Sequence, residues 1–303
     1  MNVSREAPEP RRPATATAGT GSADKGLAAW LFSRSPERGL STKSVSVVHA
    51  LSTAPRTASY AGTAEVARLA GVNVATVTRT AQALGFAGWP TMKQELRARY
   101  LSSLTTLEVA TEHEHFADAP WVASLRRDRD DVAVLFRRLD PAAVDAVVSA
   151  MATAGRTLVV ASGSYAAVGM AFTHNARLAG YDVDLQSDGA TLTNALSRLS
   201  PGDALFAISF WRPYASSVRA AQYCRGRDVS VCALTDSSTG PLAAAADHTI
   251  LVPAEGVAFF PSLTPAMSAV QALCTELGAL DRDRSRRSVE ASEASRDAFS
   301  LLM

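Results

Sequence analysis

Asn73, Thr76, Thr78, Arg79 and Gln82 lie within ten residues of one another in the stretch TAEVARLAGVNVATVTRTAQAL (63–84). These are the side-chain types that read duplex DNA: Arg pairs with guanine, Gln and Asn with adenine, and Thr reaches a base edge or a phosphate. With Val77 turned inward at 100° per residue, Ala75, Arg79 and Gln82 point outward and Thr76 and Thr78 flank them. A second group with chemical potential sits in two later loops, Ala161-Ser162-Gly163-Ser164-Tyr165 and Ser209-Phe210-Trp211-Arg212-Pro213-Tyr214.

The elements that position the first group are two short helices and a turn. Val66, Ala67 and Ala70 share one face of the first helix, and Val74, Val77, Ala81 and Leu84 recur at helical spacing on the second. Gly71 can take the left-handed conformation that ends a helix, and Asn73 can cap the next one. Helices at 27–33 (LAAWLFS) and 43–52 (KSVSVVHALS) are expected to cover the back of this pair. After it, GFAGWP stops the chain and Pro90 starts a basic helix, TMKQELRARYL, pinned by Phe86 and Trp89.

The chain has 303 residues, 47% of them hydrophobic, enough for two domains with a core each. Its net charge of +1 hides an asymmetry. Between 41 and 100, seven basic residues (Lys43, Arg56, Arg68, Arg79, Lys93, Arg97, Arg99) face only Glu65 and Glu95, whereas 151–280 holds seven Arg against nine acids. Phosphate-backbone binding is therefore expected of the first segment, with Lys93, Arg97 and Arg99 facing phosphates or solvent. So modest a charge argues against a protein that merely coats DNA. No apolar run approaches the ~20 residues of a membrane span, and the N-terminus lacks a signal-peptide pattern, so a cytoplasmic protein with no membrane partner is expected. Cys224, Cys232 and Cys274 show no CxxC spacing and read as core thiols. His113 and His115 beside Glu112 and Glu114 read as a solvated linker, so no metal and no cofactor is expected.

Residues 1–25, rich in Pro, Ala, Thr and Gly, read as a disordered tail in which Arg11 and Arg12 could touch phosphates. The helix-turn-helix domain is expected over 26–104 and a helical connector over 105–155. From 156 to 280, β-branched runs TLVVAS (157–162), DVDL (182–185), ALFAIS (204–209), SVCALT (230–235) and HTILVP (248–253) alternate with helices, which predicts a five-stranded parallel sheet covered on both faces. A charged tail, helical or frayed, closes the chain at 281–303. The fold class is thus an all-α bundle followed by a doubly wound α/β domain.

AEVARLAGVNVATVTRTAQALGFAGWPTMK resembles the RpiR family of bacterial transcriptional regulators, with Asn73 in place of the usual Ser cap. The resemblance implies an N-terminal helix-turn-helix joined to a C-terminal sugar isomerase (SIS) domain. It also implies double-stranded DNA as a partner and assembly as a homodimer or homotetramer. The SIS fold takes its ligand beyond the carboxyl ends of strands one and three, at the topological switch point. In phosphosugar-binding relatives the first loop resembles GxGxS and the second SxSGxT. Gly163, Ser164 and Ser209 survive that comparison. Tyr165 replaces the first loop's Ser, while Trp211, Arg212 and Tyr214 replace the second loop's Ser, Gly and Thr. The resemblance places ligand contacts at Ser162, Gly163, Ser164, Tyr165, Ser209, Arg212 and Tyr214. Arg212 with the aromatic walls of Trp211, Tyr165 and Tyr214 suits a larger anionic, sugar-derived metabolite. The rival is a closed pocket in which Trp211 fills the sugar space and the domain only dimerises. An aldose–ketose isomerase is the competing function, and it needs a base. Glu255, His174 and His248 are the candidates, and their placement after a strand, mid-helix and at a strand start favours structural roles.

Overall fold

The computed structural model describes residues 20–113 and 119–299, with the side chains of 20–25 left aside. Arg11, Arg12 and His115 lie outside the described residues. The chain divides into two compact units, one through Lys93 and one from Gln94 onward.

The first unit is helical: α1 (Thr20–Ser33), α2 (Thr42–Thr53), α3 (Pro55–Tyr60), α4 (Thr63–Leu69), α5 (Val74–Ala83) and the start of α6 (Trp89–Ser103). Residues 20–25, assigned from composition to the tail, open α1 instead. The short α3 was not expected; Pro55 at its first turn supplies a preset φ and needs no N–H partner there. Val47, Val48 and Leu51 of α2 are fully buried with Val66, Ala67, Val77, Ala81 and Leu84. Three apolar stripes at helical spacing therefore meet in one core, which is what holds the α4–α5 pair at a fixed angle.

The second unit begins within α6 and continues through α7 (Thr106–Glu112), α8 (Pro120–Arg138) and α9 (Pro141–Thr153). It then alternates β1 (Thr157–Ala161), α10 (Tyr165–Leu178), β2 (Val183–Gln186), α11 (Gly189–Leu196), β3 (Ala204–Ile208), α12 (Ala215–Cys224), β4 (Ser230–Thr235), α13 (Pro241–Ala245), β5 (His248–Leu251), α14 (Thr264–Leu280) and α15 (Arg282–Phe299). The division after Lys93 falls inside α6. At the start of the stretch expected as a helical connector, Thr105 and Glu108 form a reciprocal capping box that starts α7.

All five strands are parallel in the order β2-β1-β3-β4-β5. β1 and β3 are buried along their whole length because helices cover both faces. Val159, Ala161, Phe206, Ile208, Cys232 and Leu234 pack with α9, α10 and α14. Leu158, Val160, Leu205, Ala207, Val231 and Ala233 pack with α11, α12 and α13. The alternation along each strand assigns every second residue to the opposite layer. The three thiols are buried, and burial pushes Cys232 and Cys274 up to about 12 and Cys224 up to about 11, so they stay protonated. Among the described residues no helix is long and apolar enough to cross a membrane. No group of three His, Cys, Asp or Glu is placed among them to hold a metal.

Candidate functional site

In the first unit, Gly71 takes φ +64 and the Val72 N–H donates to Ala67 O at 2.9 Å, which ends α4. Asn73 Oδ1 then accepts both the Thr76 N–H and the Thr76 hydroxyl at 2.8 Å each. This double bond fixes the first turn of α5. It also reverses one expectation: Thr76 is only 5% exposed and its hydroxyl is engaged, so it holds the turn and does not face outward. Val74 moves the other way, at 49% exposed. The shift is about one helical position. Thr80, fully buried, spends its hydroxyl on Thr76 O and Ser44 Oγ, and so takes the inward place assigned to Val74.

The outward ridge of α5 therefore consists of Val74, Ala75, Arg79 and Gln82, exposed, with Thr78 half-buried beside them. Arg79 and Gln82 make no side-chain hydrogen bond or ion pair among the described residues, and Val74 adds a methyl surface that fits a thymine methyl. At the far end, Arg34 donates to Leu84 O at 3.0 Å and lies 4.6 Å over the Phe86 ring. Trp89 is buried and donates from Nε1 to Ala61 O at 3.3 Å. Arg97 and Arg99 are withdrawn from the basic surface: both belong to the second unit and bind there. The first unit keeps Lys43, Arg56, Arg68, Arg79 and Lys93 against Glu65 over the same stretch.

In the second unit, the order β2-β1-β3 puts the switch point between β1 and β3. The loops that follow these two strands meet there. Gly163 takes φ +60, and a Cβ at that residue would lie 2.2 Å from Tyr214 Oη, so the phenol of the second loop closes directly over the first. Tyr165 and Tyr214 stack edge to face at 5.8 Å. Ser209 is fully buried and its Oγ accepts the Tyr214 N–H at 3.0 Å. Tyr165 is buried, donates to Phe210 O at 2.6 Å, and burial raises its phenol further above the ordinary range. Both were expected as ligand contacts. In the structure both are buried and brace the second loop through these bonds. Gly163, Ser164, Arg212 and Tyr214 are exposed and Ser162 is half-buried.

Trp211 is not a wall of the crevice. It adopts φ +61, a strained region for a bulky residue, is 9% exposed, and packs with Leu101 and Val109 of α6 and α7. Its backbone N–H is accepted by Asp236, just after β4. Enclosure in protein pushes this carboxyl up to about 6, the nearby Glu95 charge adds to the rise, and the bond from Trp211 opposes it. Sequence reading missed Asp236, although its position at the end of the neighbouring strand was the available signal.

Glu255 is held by three cations. Arg97 donates to it, Arg127 Nη2 does so at 3.2 Å, and His113 Nε2 lies 3.1 Å from Oε1. Burial works against ionisation, but the His113 bond and the two guanidinium charges outweigh it and lower the carboxyl to about 2. His113 Nδ1 faces Ala258 O at 2.9 Å, so both ring nitrogens face acceptors, an arrangement that favours the protonated ring. Its pKa is raised, first by the Glu255 bond, with burial opposing. A carboxylate so acidic and so fully engaged has no basicity for proton abstraction from a sugar. His174 is exposed on α10, and His248, half-buried, starts β5.

Comparison with known proteins agrees with both halves. Residues 33–103 match the helix-turn-helix domain of the rpiR family, and residues 150–276 match the SIS domain. The chain belongs to the RpiR family of transcriptional regulators. The matched helix-turn-helix model and the RpiR and NanR neighbours point to a regulator and away from an enzyme. The sugar isomerase domain of an RpiR transcription factor from Sphaerobacter thermophilus is 28% identical, with a TM-score of 0.56 over 57% of this chain and 97% of that one. The NanR protein of Vibrio vulnificus, solved as a complex with ManNAc-6P, shares the fold at 19% identity and a TM-score of 0.54, over 90% of this chain and 98% of that one.

Proposed function

We propose that this RpiR-family regulator reads its operator with Asn73, Val74, Thr78, Arg79 and Gln82, and that its SIS domain senses an anionic, sugar-derived metabolite. The observation that carries the first part is the exposed ridge of α5, whose two hydrogen-bonding side chains are left free while Thr76 and Thr80 are spent inside. Asn73 contributes through its backbone and cap at the helix N-terminus, where phosphate contacts form.

The metabolite contacts are Ser162, Ser164, Arg212 and Tyr214, at the opening between β1 and β3 and beside the N-terminus of α10, a place that favours phosphate or carboxylate. Arg212 supplies the fixed charge. That V. vulnificus NanR binds ManNAc-6P supports a phosphosugar as the ligand class. We infer a two-fold assembly, since one helix-turn-helix buries too little surface for specificity and two half-sites are read together. The exposed Trp121, Leu125 and Phe136 recur at helical spacing on α8 and supply an apolar face for a second copy.

The test is fluorescence anisotropy with the DNA flanking the coding region, with and without a panel of phosphorylated and acidic sugars. Saturable, sequence-dependent binding shifted by one compound is the expected result. Indifference to every duplex at low salt refutes the reading.

A further inference from the structure

The loop after β4 carries Ser237, Ser238 and Thr239, and their three hydroxyls and one backbone N–H converge on a single acceptor. Glu95, on α6 and 4% exposed, accepts from the Ser237 and Thr239 hydroxyls on one carboxylate oxygen. Its other oxygen accepts from the Ser238 N–H at 3.0 Å and the Ser238 hydroxyl at 3.1 Å. Two donors for each oxygen fill the carboxylate's hydrogen-bonding capacity. Arg99, one turn further along α6, donates to Thr239 O and Oγ1 and lies 4.0 Å from the same carboxylate. A side chain at Gly240 would meet Ser237 Oγ at 2.9 Å, so the bare backbone there is what lets Ser237 tuck in toward Glu95.

Four donors around one buried carboxylate, with an arginine alongside, constitute an anion site that is already occupied. We propose that the Ser237–Thr239 loop binds phosphate-type anions, that Glu95 occupies it in the state described here, and that an anionic effector competes with Glu95 for it. The inference rests on the reading of the SIS domain as an effector sensor and adds a second anchor for its ligand. Three chemical facts support competition. Hydroxyls of Ser and Thr rotate to suit any acceptor, so the loop accommodates a tetrahedral anion as readily as a planar one. A phosphate dianion carries more charge than a carboxylate and offers an additional oxygen to Arg99. Asp236 immediately precedes the loop and binds the Trp211 N–H, so this loop and the one after β3 adjoin. An anion that displaces Glu95 removes a buried tether of α6, the helix that starts in the first unit and ends in the second.

Calorimetry of the full chain with inorganic phosphate tests the site. Glu95→Ala leaves the four donors and Arg99 around an empty place, and should bind phosphate at least tenfold more tightly than the parent chain. Adding Ser237→Ala and Thr239→Ala should abolish the gain. Should Glu95→Ala lose its fold by circular dichroism, Glu95→Gln, which removes the competing charge but still fills the place, is used with the expectation of a smaller but measurable gain. Amide exchange of residues 94–103 in the parent chain should quicken in phosphate relative to chloride of equal ionic strength. Equal affinity in parent and variant, a gain that survives loss of both hydroxyls, or exchange indifferent to phosphate overturns the proposal. If phosphosugars shift DNA binding equally with and without Glu95, competition is wrong and the sensor reading stands. If no phosphosugar shifts DNA binding while Glu95→Ala still gains phosphate, the sensor reading fails instead.

Discussion

Replacing Glu255 by Gln keeps the side chain's shape and removes its charge, leaving Arg97, Arg127 and His113 around a neutral amide. The size of the loss follows from the acidity of the carboxyl. A fall from the ordinary 4.5 to about 2, at ~1.4 kcal/mol for each pH unit, corresponds to about 3 kcal/mol, close to the ~3–5 kcal/mol for breaking a buried ion pair. Glu255 contributes fully above pH 4.5 and loses its contribution as pH falls toward 2, because its folded value lies below its unfolded one. His113 behaves in the opposite sense. Its folded value lies above 6.5, so its contribution is full below 6.5 and is lost as pH rises through the raised value. The cluster is therefore strongest between about pH 4.5 and 6.5. Native-state hydrogen exchange of the β3 and β4 amides reports the second unit without interference from the first. At pH 6, Glu255→Gln should lower their protection by about 3 kcal/mol, and the gap should narrow progressively below pH 4.5. A gap under ~0.5 kcal/mol at pH 6, or one that is unchanged at pH 3, refutes the reasoning.

Arg79→Ala should cost ~1–3 kcal/mol of operator affinity and relax selection at one position, as read by anisotropy against a set of singly substituted duplexes. Asn73→Ala removes the acceptor for both Thr76 donors and should lower the stability of the first unit by ~0.5–2 kcal/mol in urea melts. Gly163→Ala forces a Cβ to within 2.2 Å of the Tyr214 hydroxyl at a positive φ, so effector binding by calorimetry should fall at least tenfold while DNA binding without effector is retained. Asp236 is pushed up to about 6 and carries negative charge above that value, next to the anion's opening. Effector affinity should rise as pH falls from 7 to 5 relative to Asp236→Asn, a comparison in which the ligand's own titration cancels, and parallel pH curves for the two chains would remove Asp236 from the account.

Elements with strong local signals were legible from sequence. The five strands fall within one or two residues of their expected bounds, since a β-branched run buried on both faces allows few alternatives. The turn at Gly71 and the cap at Asn73 are encoded by neighbours in the chain. Local rules failed where tertiary bonds decide direction. Val74 and Thr80 compete for the inward place on α5, and apolar character favoured Val74, but the partners at Ser44 and Thr76 O give Thr80 the buried position. Arg97 and Arg99 read as facing phosphates or solvent because charge along the chain does not reveal that Arg97 meets a carboxylate 158 residues away or that Arg99 meets Thr239, 140 residues away. Glu95 and Asp236 carry no local motif at all. Glu95 acquires its partners only once β4 brings its loop to α6, and Asp236 its partner only once the loops after β3 and β4 adjoin.

The substitutions in the second loop make sense when the three strand ends are taken together. Trp211 follows β3 and packs on Leu101 and Val109; Ser237–Thr239 follow β4 and bind Glu95 and Arg99; Glu255 follows β5 and binds Arg97 and His113. Each loop at the carboxyl edge from β3 to β5 thus has one attachment to α6 or α7. A residue with a small hydroxyl at 211 could hold phosphate but could not reach that apolar cluster. Trp211 reaches that cluster with a strained backbone at φ +61 and ties the loop after β3 to α6 and α7. Movement of any of these loops would act on α6 or α7. Trp211→Ser would separate the two functions: ligand binding should survive or strengthen while its effect on DNA affinity shrinks toward none.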